Sequence, residues 1–249
     1  MHAIPRLAPE AAAIPWLTTL QMIEVDRAMI EDFRILLMQM MEHAGRHLAY
    51  LTRARFLAGD ARGHDVVVLA GPGGNGGGAL VCARRLAAWG AKVTIAATAD
   101  DDRFTEVPRH QLDIARRMGL PVHRAGALPN ATPAVVIDGI IGYSLRGHPR
   151  GESADLIRWA NASPAPVIAL DVPSGLDEAT GQPFEPAVRA TATMTLALPK
   201  EGLRSDAARP LVGELYLADI GVPPQLYGRP PLALDVPDIF AEADLVRVW

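Results

Sequence analysis

Short apolar runs alternate along the chain with longer stretches whose apolar residues recur at helical spacing. The short runs are rich in β-branched residues, which predicts buried strands. The longer stretches place most of their apolar residues on one face, which predicts amphipathic helices. Strands are predicted at 65–69, 91–97, 134–138, 166–170, 193–198 and 214–220, with a short one starting at 122–123, and helices at about 17–30, 36–57, 79–88, 106–118 and 152–160.

Strands that alternate with helices through short loops are typical of a mostly parallel sheet covered on both faces. The sequence therefore predicts an α/β fold. No internal repeat or low-complexity segment interrupts the pattern, so we expect a single domain over residues 1–249. Residues 1–15 contain three prolines and predict a loose N-terminal arm, and the proline-rich tail, 223–249, predicts a C-terminal extension.

The bulk composition narrows the classes of function. The net charge is −4, from 24 basic and 28 acidic residues without a long block of either sign, which disfavours nucleic acid or an anionic membrane as a partner. The single cysteine, Cys82, excludes an internal disulfide and fits a reducing compartment. The first residues lack the pattern of a signal peptide, and no segment reaches the roughly 18 apolar residues of a membrane span. We therefore expect a cytoplasmic protein.

A glycine-rich stretch lies between the first predicted strand and a predicted helix: Gly71-Pro72-Gly73-Gly74-Asn75-Gly76-Gly77-Gly78-Ala79. A glycine loop in that place aims backbone N–H groups and the positive end of a helix at one point, which suits an anion such as a phosphate. The stretch also satisfies GxGxxG, and Asp100 follows the next strand, as in dinucleotide-binding oxidoreductases. That match is weak, because a run of glycines satisfies the pattern in several ways.

Two further predicted strands end in carboxylates, Asp138 and Asp171, and polar loops that contain glycine follow them at 138–147 and 171–177. Ligands bind beyond the carboxyl ends of parallel strands, so these loops and the glycine loop are expected to meet. A carboxylate there acts as an acid or base, or holds a cation or a hydroxyl. The alternative is that each aspartate caps its own turn. Two aspartates beside one candidate anion site favour a functional role.

Four stretches of the sequence stand out together: Met41-Glu42-His43-Ala44-Gly45, Gly71 to Gly78, Val136-Ile137-Asp138-Gly139-Ile140-Ile141-Gly142 and Ala169-Leu170-Asp171-Val172-Pro173-Ser174-Gly175-Leu176-Asp177. Together they resemble the NAD(P)H-hydrate epimerase family, of the YjeF N-terminal type. The resemblance covers most of the chain, from about Leu17 to Ile220, and the last stretch is the most specific. It implies a three-layer αβα Rossmann-like fold, a homodimer, and repair of nicotinamide nucleotides by interconversion of the R and S forms of hydrated NADH and NADPH.

The resemblance also implies the residues of the site. A potassium ion would be held by Asn75, Asp138 and Ser174, whose oxygens suit a hard cation. Asp171 is implied to contact the substrate, and we expect this catalytic residue to protonate the departing hydroxyl and to deprotonate the returning water. The implied substrate contacts are Gly74, Asn75, Gly76, Gly77, Gly78, Gly142, Tyr143, Ser144, Leu145, Arg146, Gly147 and Asp171.

The glycine stretch departs from the family's usual Asn-Asn-Gly-Gly-Asp-Gly, because Gly74 and Gly78 replace an asparagine and an aspartate. One alternative is therefore a family member that binds nucleotides without catalysis. A second is an NAD(P)-dependent oxidoreductase, on the glycine pattern and Asp100. The dehydratase domain often fused in the family does not fit into 249 residues, so we expect a separate dehydratase as the pathway partner.

Overall fold

The computed structural model describes residues 4–7, 14–128, 132–143 and 145–249. Within them, eight strands form one sheet in the order β3-β2-β1-β4-β5-β6-β7-β8. All neighbouring strands are parallel except β7 and β8. The strands are β1 (Asp65–Ala70), β2 (Lys92–Ala97), β3 (Val122–Arg124), β4 (Val135–Gly139), β5 (Val167–Leu170), β6 (Ala192–Leu196), β7 (Glu214–Ala218) and β8 (Leu245–Arg247).

Helices cover both faces of this sheet. On one face, Leu48 of α2 and Leu86 of α3 share a core with Val68 of β1. On the other face, Ile157 of α5 shares a core with Leu69, whose side chain points away from that of Val68 because successive strand residues alternate. The predicted three-layer α/β fold is confirmed. The helices are α1 (Thr19–Glu31), α2 (Leu37–Leu51), α3 (Gly74–Ala88), α4 (Glu106–Arg117), α5 (Gly151–Ala162), and the short α6 (Arg209–Val212) and α7 (Pro224–Tyr227).

The strand order reverses between β1 and β4, which is where open α/β sheets bind ligands. At the carboxyl edge, Ala70 of β1 lies beside Gly139, and Asp138 lies beside Ala169 of β5. The ends of β1, β4 and β5 are therefore neighbours. The loops that follow these three strands meet at one edge of the sheet, as the sequence predicts.

The glycine-rich stretch is mostly helical, which corrects the prediction of a loop up to Ala79. Helix α3 already begins at Gly74, so only residues 71–73 form the turn after β1. A methyl group at Gly76 would overlap the carbonyl oxygen of Gly71, and one at Gly77 would overlap the side chain of Met41 on α2. Glycine has a low helix propensity, which is why the sequence indicates a loop. The close packing of α3 on α2 and on the turn explains why residues without a Cβ occupy the helix.

The second predicted helix ends earlier than expected, since α2 stops at Leu51 and a π-helical segment, Thr52–Phe56, follows. The predicted terminal segments are attached to the sheet. Arg247 N donates to Pro5 O and Leu7 N donates to Arg247 O, both at 2.8 Å, and the C-terminal extension supplies β8, antiparallel to β7. Residues 1–3 and 8–13 of the predicted arm lie outside the described residues. None of the helices in the described ranges has the length and apolar character to cross a membrane.

Candidate active site

Asp171 lies directly after β5 in an unusual backbone conformation. Its φ of +66° is in the left-handed region, which non-glycine residues rarely adopt and which recurs at functional sites. The residue is buried, and its Oδ1 accepts hydrogen bonds from Thr195 Oγ1 at 3.1 Å, from Leu196 N at 3.2 Å and from Lys200 Nζ. All hydrogen bonds that the described residues donate to this carboxylate end on Oδ1, which leaves Oδ2 for a ligand.

Lys200 is the buried cation of this site, and the sequence did not predict it. Its side chain is 1% exposed, forms an ion pair with Asp171 and donates to Leu196 O at 3.0 Å. Because a buried charge is stable only when it is paired, the ammonium and the carboxylate depend on each other. In the sequence, Lys200 is one lysine in a turn after an apolar run, a pattern shared by many exposed turns.

Asp171 and Lys200 line a cavity of about 100 Å³ at the carboxyl edge of the sheet, where α1, α2 and α3 close over it. This volume is below the about 300–1,000 Å³ of a typical whole-ligand site, so the cavity admits a ring-sized part of a ligand. Its other walls are mainly apolar and include the side chains of Met22, Met40 and Ile220. Besides Asp171, the predicted substrate contacts that line the cavity are Gly74, Asn75, Gly78 and Tyr143.

A second carboxylate, Asp26 of α1, lines the same cavity one helical turn from Met22. Tyr143 Oη donates a hydrogen bond to Asp26 Oδ2 at 2.6 Å, which ties the loop after β4 to α1. Burial raises the pKa of Asp26, while the Tyr143 hydrogen bond and the charge of Lys200 oppose that rise. Burial and the contact with Asp26 also raise the pKa of the Tyr143 hydroxyl. The sequence does not distinguish Asp26, because one acid on an amphipathic helix has no pattern that marks a functional site.

Asp138 is fully buried at the end of β4, and this burial raises its pKa to about 6. Hydrogen bonds oppose the rise: Ser174 Oγ donates to Oδ1 at 2.6 Å, Ser174 N donates to Oδ2 at 2.8 Å, and Ile140 N donates to Oδ1 at 3.2 Å. Two of the three predicted potassium ligands are therefore in direct contact.

Asn75, the third predicted ligand, packs against the loop after β4. Its Nδ2 donates to Leu170 O at 2.7 Å, and its Oδ1 lies against Gly142, where an added Cβ would be 2.5 Å from that oxygen. Within the described part of the chain, no cationic side chain forms an ion pair with Asp138. A buried carboxylate without a cationic partner, in contact with the hydroxyl oxygen of Ser174, fits a hard cation.

The remaining predicted substrate contacts that the structure describes do not line the cavity. Gly76 and Gly77 are buried in the packing of α3 against the preceding turn and α2. Ser144 lies outside the described residues. Contacts of these residues with a dinucleotide stay predictions, as they do for the other members of the loop after β4: Gly142, Leu145, Arg146 and Gly147.

Glu178 is a further buried carboxylate, and the charges of Asp171 and Lys200 affect its pKa. Thr19 Oγ1 donates to its Oε1 at 2.7 Å, whereas its Oε2 is buried without a hydrogen-bond partner among the residues described. Burial raises the pKa of Glu178 to about 7. This residue is absent from the cavity lining, so it belongs to the electrostatic surroundings of the site.

Comparison with known protein families shows which family has this sequence pattern. Residues 37–202 match the family described as YjeF-related protein N-terminus. The chain belongs to this family. The matched range contains α3, β4, β5 and the pair Asp171–Lys200, whereas Asp26 precedes it.

This YjeF-related chain is similar in sequence to several proteins with assigned names. An NAD(P)H-hydrate epimerase of Dehalogenimonas lykanthroporepellens is 43% identical, over 88% of this chain and 87% of its own. A protein of the same name from Rhodopirellula baltica is 35% identical, over 86% and 87%. The bifunctional NAD(P)H-hydrate repair enzyme Nnr of Salinibacter ruber is 34% identical over 96% of this chain but only 46% of its own length. The crystal structure of yeast ynu0, at 22% identity, has the same fold, with a TM-score of 0.78 over 94% of this chain and all of that one.

Proposed function

We propose that this chain is an isomerase, an NAD(P)H-hydrate epimerase that interconverts the R and S forms of hydrated NADH and NADPH. The observation that carries the proposal is Asp171, whose Oδ2 accepts no hydrogen bond from the described residues and which lines a ring-sized cavity beside the start of α3. The names of relatives that match this chain over most of their length support the same activity.

The reaction requires proton transfer to and from the oxygen bonded to one carbon of the hydrated nicotinamide ring. That carbon carries a hydroxyl and is bonded to the ring nitrogen, whose electron pair expels the hydroxyl as it is protonated. A planar iminium results, and water adds to either face. Asp171 acts on this oxygen as a general acid–base group, which gives a proton to a departing hydroxyl or takes one from a returning water. Lys200, Thr195 and Leu196 N hold Oδ1 in place, so Oδ2 is presented to the ring.

The start of α3 is suited to the dinucleotide's pyrophosphate. Gly77 N donates to Gly73 O at 3.1 Å, as the regular ladder of the helix begins. The N–H groups of Gly74, Asn75 and Gly76 precede that bond, and such groups, with the helix dipole, attract anions. A pyrophosphate placed there lies next to the cavity that Gly74 and Asn75 line. This placement lets the nicotinamide ring enter the cavity while the rest of the dinucleotide stays outside.

Asn75, Asp138 and Ser174 are the residues that would hold a potassium ion. The ion would supply positive charge beside the start of α3, which favours an anionic ligand, and would neutralise the buried charge of Asp138.

The test is a chromatographic assay that follows the S form appearing from the R form of hydrated NADPH, with potassium present. The unchanged protein is expected to exceed the spontaneous rate clearly. Asp171→Asn should lower the enzymatic rate by about 10²–10⁴-fold, the usual contribution of a general acid–base group, and leave dinucleotide affinity largely intact. Asp113→Asn, on the exposed surface of α4, is the matched control and should keep the full rate.

Each contrary result has its own meaning. Full activity of Asp171→Asn would remove this residue from the mechanism. Binding without conversion by the unchanged protein would identify a family member that only binds nucleotides. An absorbance change at the reduced-nicotinamide band with an alcohol or carbonyl substrate would instead indicate an oxidoreductase.

We further propose a homodimer, a dehydratase as pathway partner, and a cytoplasmic location. The dimer is supported by an apolar face of α1, where Leu20, Ile23 and Ile30 are 78%, 48% and 40% exposed. Light scattering should give twice the mass of the chain, and Leu20→Glu combined with Ile23→Glu should give a monomer. A monomeric mass for the unchanged protein would refute the dimer.

A further inference from the structure

Epimerisation replaces a hydroxyl on one face of the ring with a hydroxyl on the opposite face. A carboxylate that protonates a hydroxyl leaving one face is separated by the ring from the water that adds to the opposite face. One carboxylate therefore serves both steps only if the ring turns over in the site. Two carboxylates on different walls make that turn unnecessary.

The cavity has two such groups. Asp171 enters from the carboxyl edge of the sheet, and Asp26 enters from α1. They are the only carboxylates among the described residues that line the cavity, and Lys200 is the only cation. Most of the other lining groups are apolar, including Met22 and Met40, so a ring held there has few other proton donors or acceptors.

We propose that Asp26 is the second catalytic carboxylate, which acts on the ring face opposite to the one that Asp171 serves. The inference rests on the proposed epimerase function. Because the Lys200 ammonium is hydrogen-bonded to Asp171 and not to Asp26, the two carboxylates differ in their surroundings. Asp26 has the neutral hydroxyl of Tyr143 as its partner.

The two carboxylates together account for both proton transfers of the reaction. For one epimer, the protonated carboxyl of Asp26 gives its proton to the hydroxyl, which leaves as water while the electron pair of the ring nitrogen forms the C=N bond. A second water then adds its oxygen to that carbon from the other face. It gives a proton to the carboxylate of Asp171, and the electrons of the C=N bond return to nitrogen. The other epimer reacts by the same steps with the two carboxylates exchanged. Each turnover leaves the first carboxyl ionised and the second protonated, and proton exchange of both groups with water restores the starting forms.

Tyr143 is a positioning residue in this scheme, since its hydroxyl fixes Oδ2 of Asp26 at 2.6 Å. Tyr143 is half-buried on the loop after β4 and lines the same cavity as Asp26, so the two groups meet at the cavity wall.

Exchange of the ring hydroxyl with labelled water distinguishes the carboxylate that acts on one face of the ring from the carboxylate that acts on the other. Each epimer of hydrated NADPH is incubated alone with the protein in ¹⁸O-labelled water, and label and epimer ratio are read by chromatography and mass spectrometry, with a protein-free blank subtracted. The unchanged protein should label both epimers and interconvert them. Asp26→Asn should interconvert nothing above the blank yet still label one epimer, because Asp171 expels and restores the oxygen on its own face. Asp171→Asn should label only the other epimer.

Glu31→Gln, which changes an exposed acid on the same helix, is the control and should behave like the unchanged protein. Labelling of one epimer by Asp26→Asn also shows that this variant is folded and binds its ligand. Interconversion by Asp26→Asn at the unchanged rate, labelling of the same epimer by both variants, or no labelling by Asp26→Asn despite intact binding would each overturn the proposal. If the unchanged protein itself fails to interconvert the epimers, the proposed epimerase function fails instead.

Discussion

Replacing Lys200 with methionine removes the charge of a buried ion pair while keeping a side chain of similar length. The Lys200 and Asp171 side chains are 1% and 4% exposed, so the change leaves an unpaired carboxylate in the interior. Breaking a buried pair in this way costs about 3–5 kcal/mol of unfolding free energy. At roughly 2–4 °C per kcal/mol for a domain of this size, Lys200→Met should lower Tm by about 6–20 °C.

The double variant Lys200→Met, Asp171→Asn tests the cause. Without either charge, the neutral amide still accepts the hydrogen bonds of Thr195 and Leu196, so the double variant should be more stable than Lys200→Met alone. Urea and thermal unfolding measure the stability of Lys200→Met relative to the unchanged protein and to the double variant. The urea comparison holds when the three proteins have the same m-value. Arg117→Met breaks an exposed pair with Asp113 and should leave the urea midpoint nearly unchanged, because exposed ion pairs contribute little to stability. A loss below about 1 kcal/mol for Lys200→Met, or a double variant that is no more stable than it, would refute the reasoning.

Three further predictions concern packing, pH and ions. Gly76→Ala should destabilise the fold by about 1–3 kcal/mol, because the new Cβ would overlap the backbone of Gly71; Gly74→Ala, with open space around it, should not, and equal urea midpoints would contradict this account. Glu178→Gln should raise Tm above pH 7 and leave it unchanged near pH 4. Because burial raises the pKa of Glu178 from 4.5 to about 7, the stability of the unchanged protein falls as pH rises from about 4.5 to 7, and the glutamine variant avoids this loss. A rise in Tm seen only at low pH would contradict this account. Replacing choline by potassium at constant ionic strength should raise Tm of the unchanged protein but not of Asp138→Asn, and an equal rise in both would argue against an ion at Asp138.

The sequence by itself determined the fold class and the convergence of three loops. The β-branched runs and the short connections between strands and helices predict a parallel sheet, and strand ends in such a sheet meet at one edge. Asp138 and Asp171 follow strands directly, so their position at that edge follows from the pattern alone. These are local features of the chain, and each is visible within about ten residues.

Only the tertiary structure decided which residues face one another across the cavity. Asp26 and Lys200 lie on a helix and in a turn far apart in the chain, and nothing in either local pattern marks them as partners of Asp171 or Tyr143. The same holds for the start of α3, where low helix propensity predicts a loop and the close contacts of Gly76 and other glycines favour a helix. Long-range packing sets these features, because burial and the approach of distant side chains determine their energies.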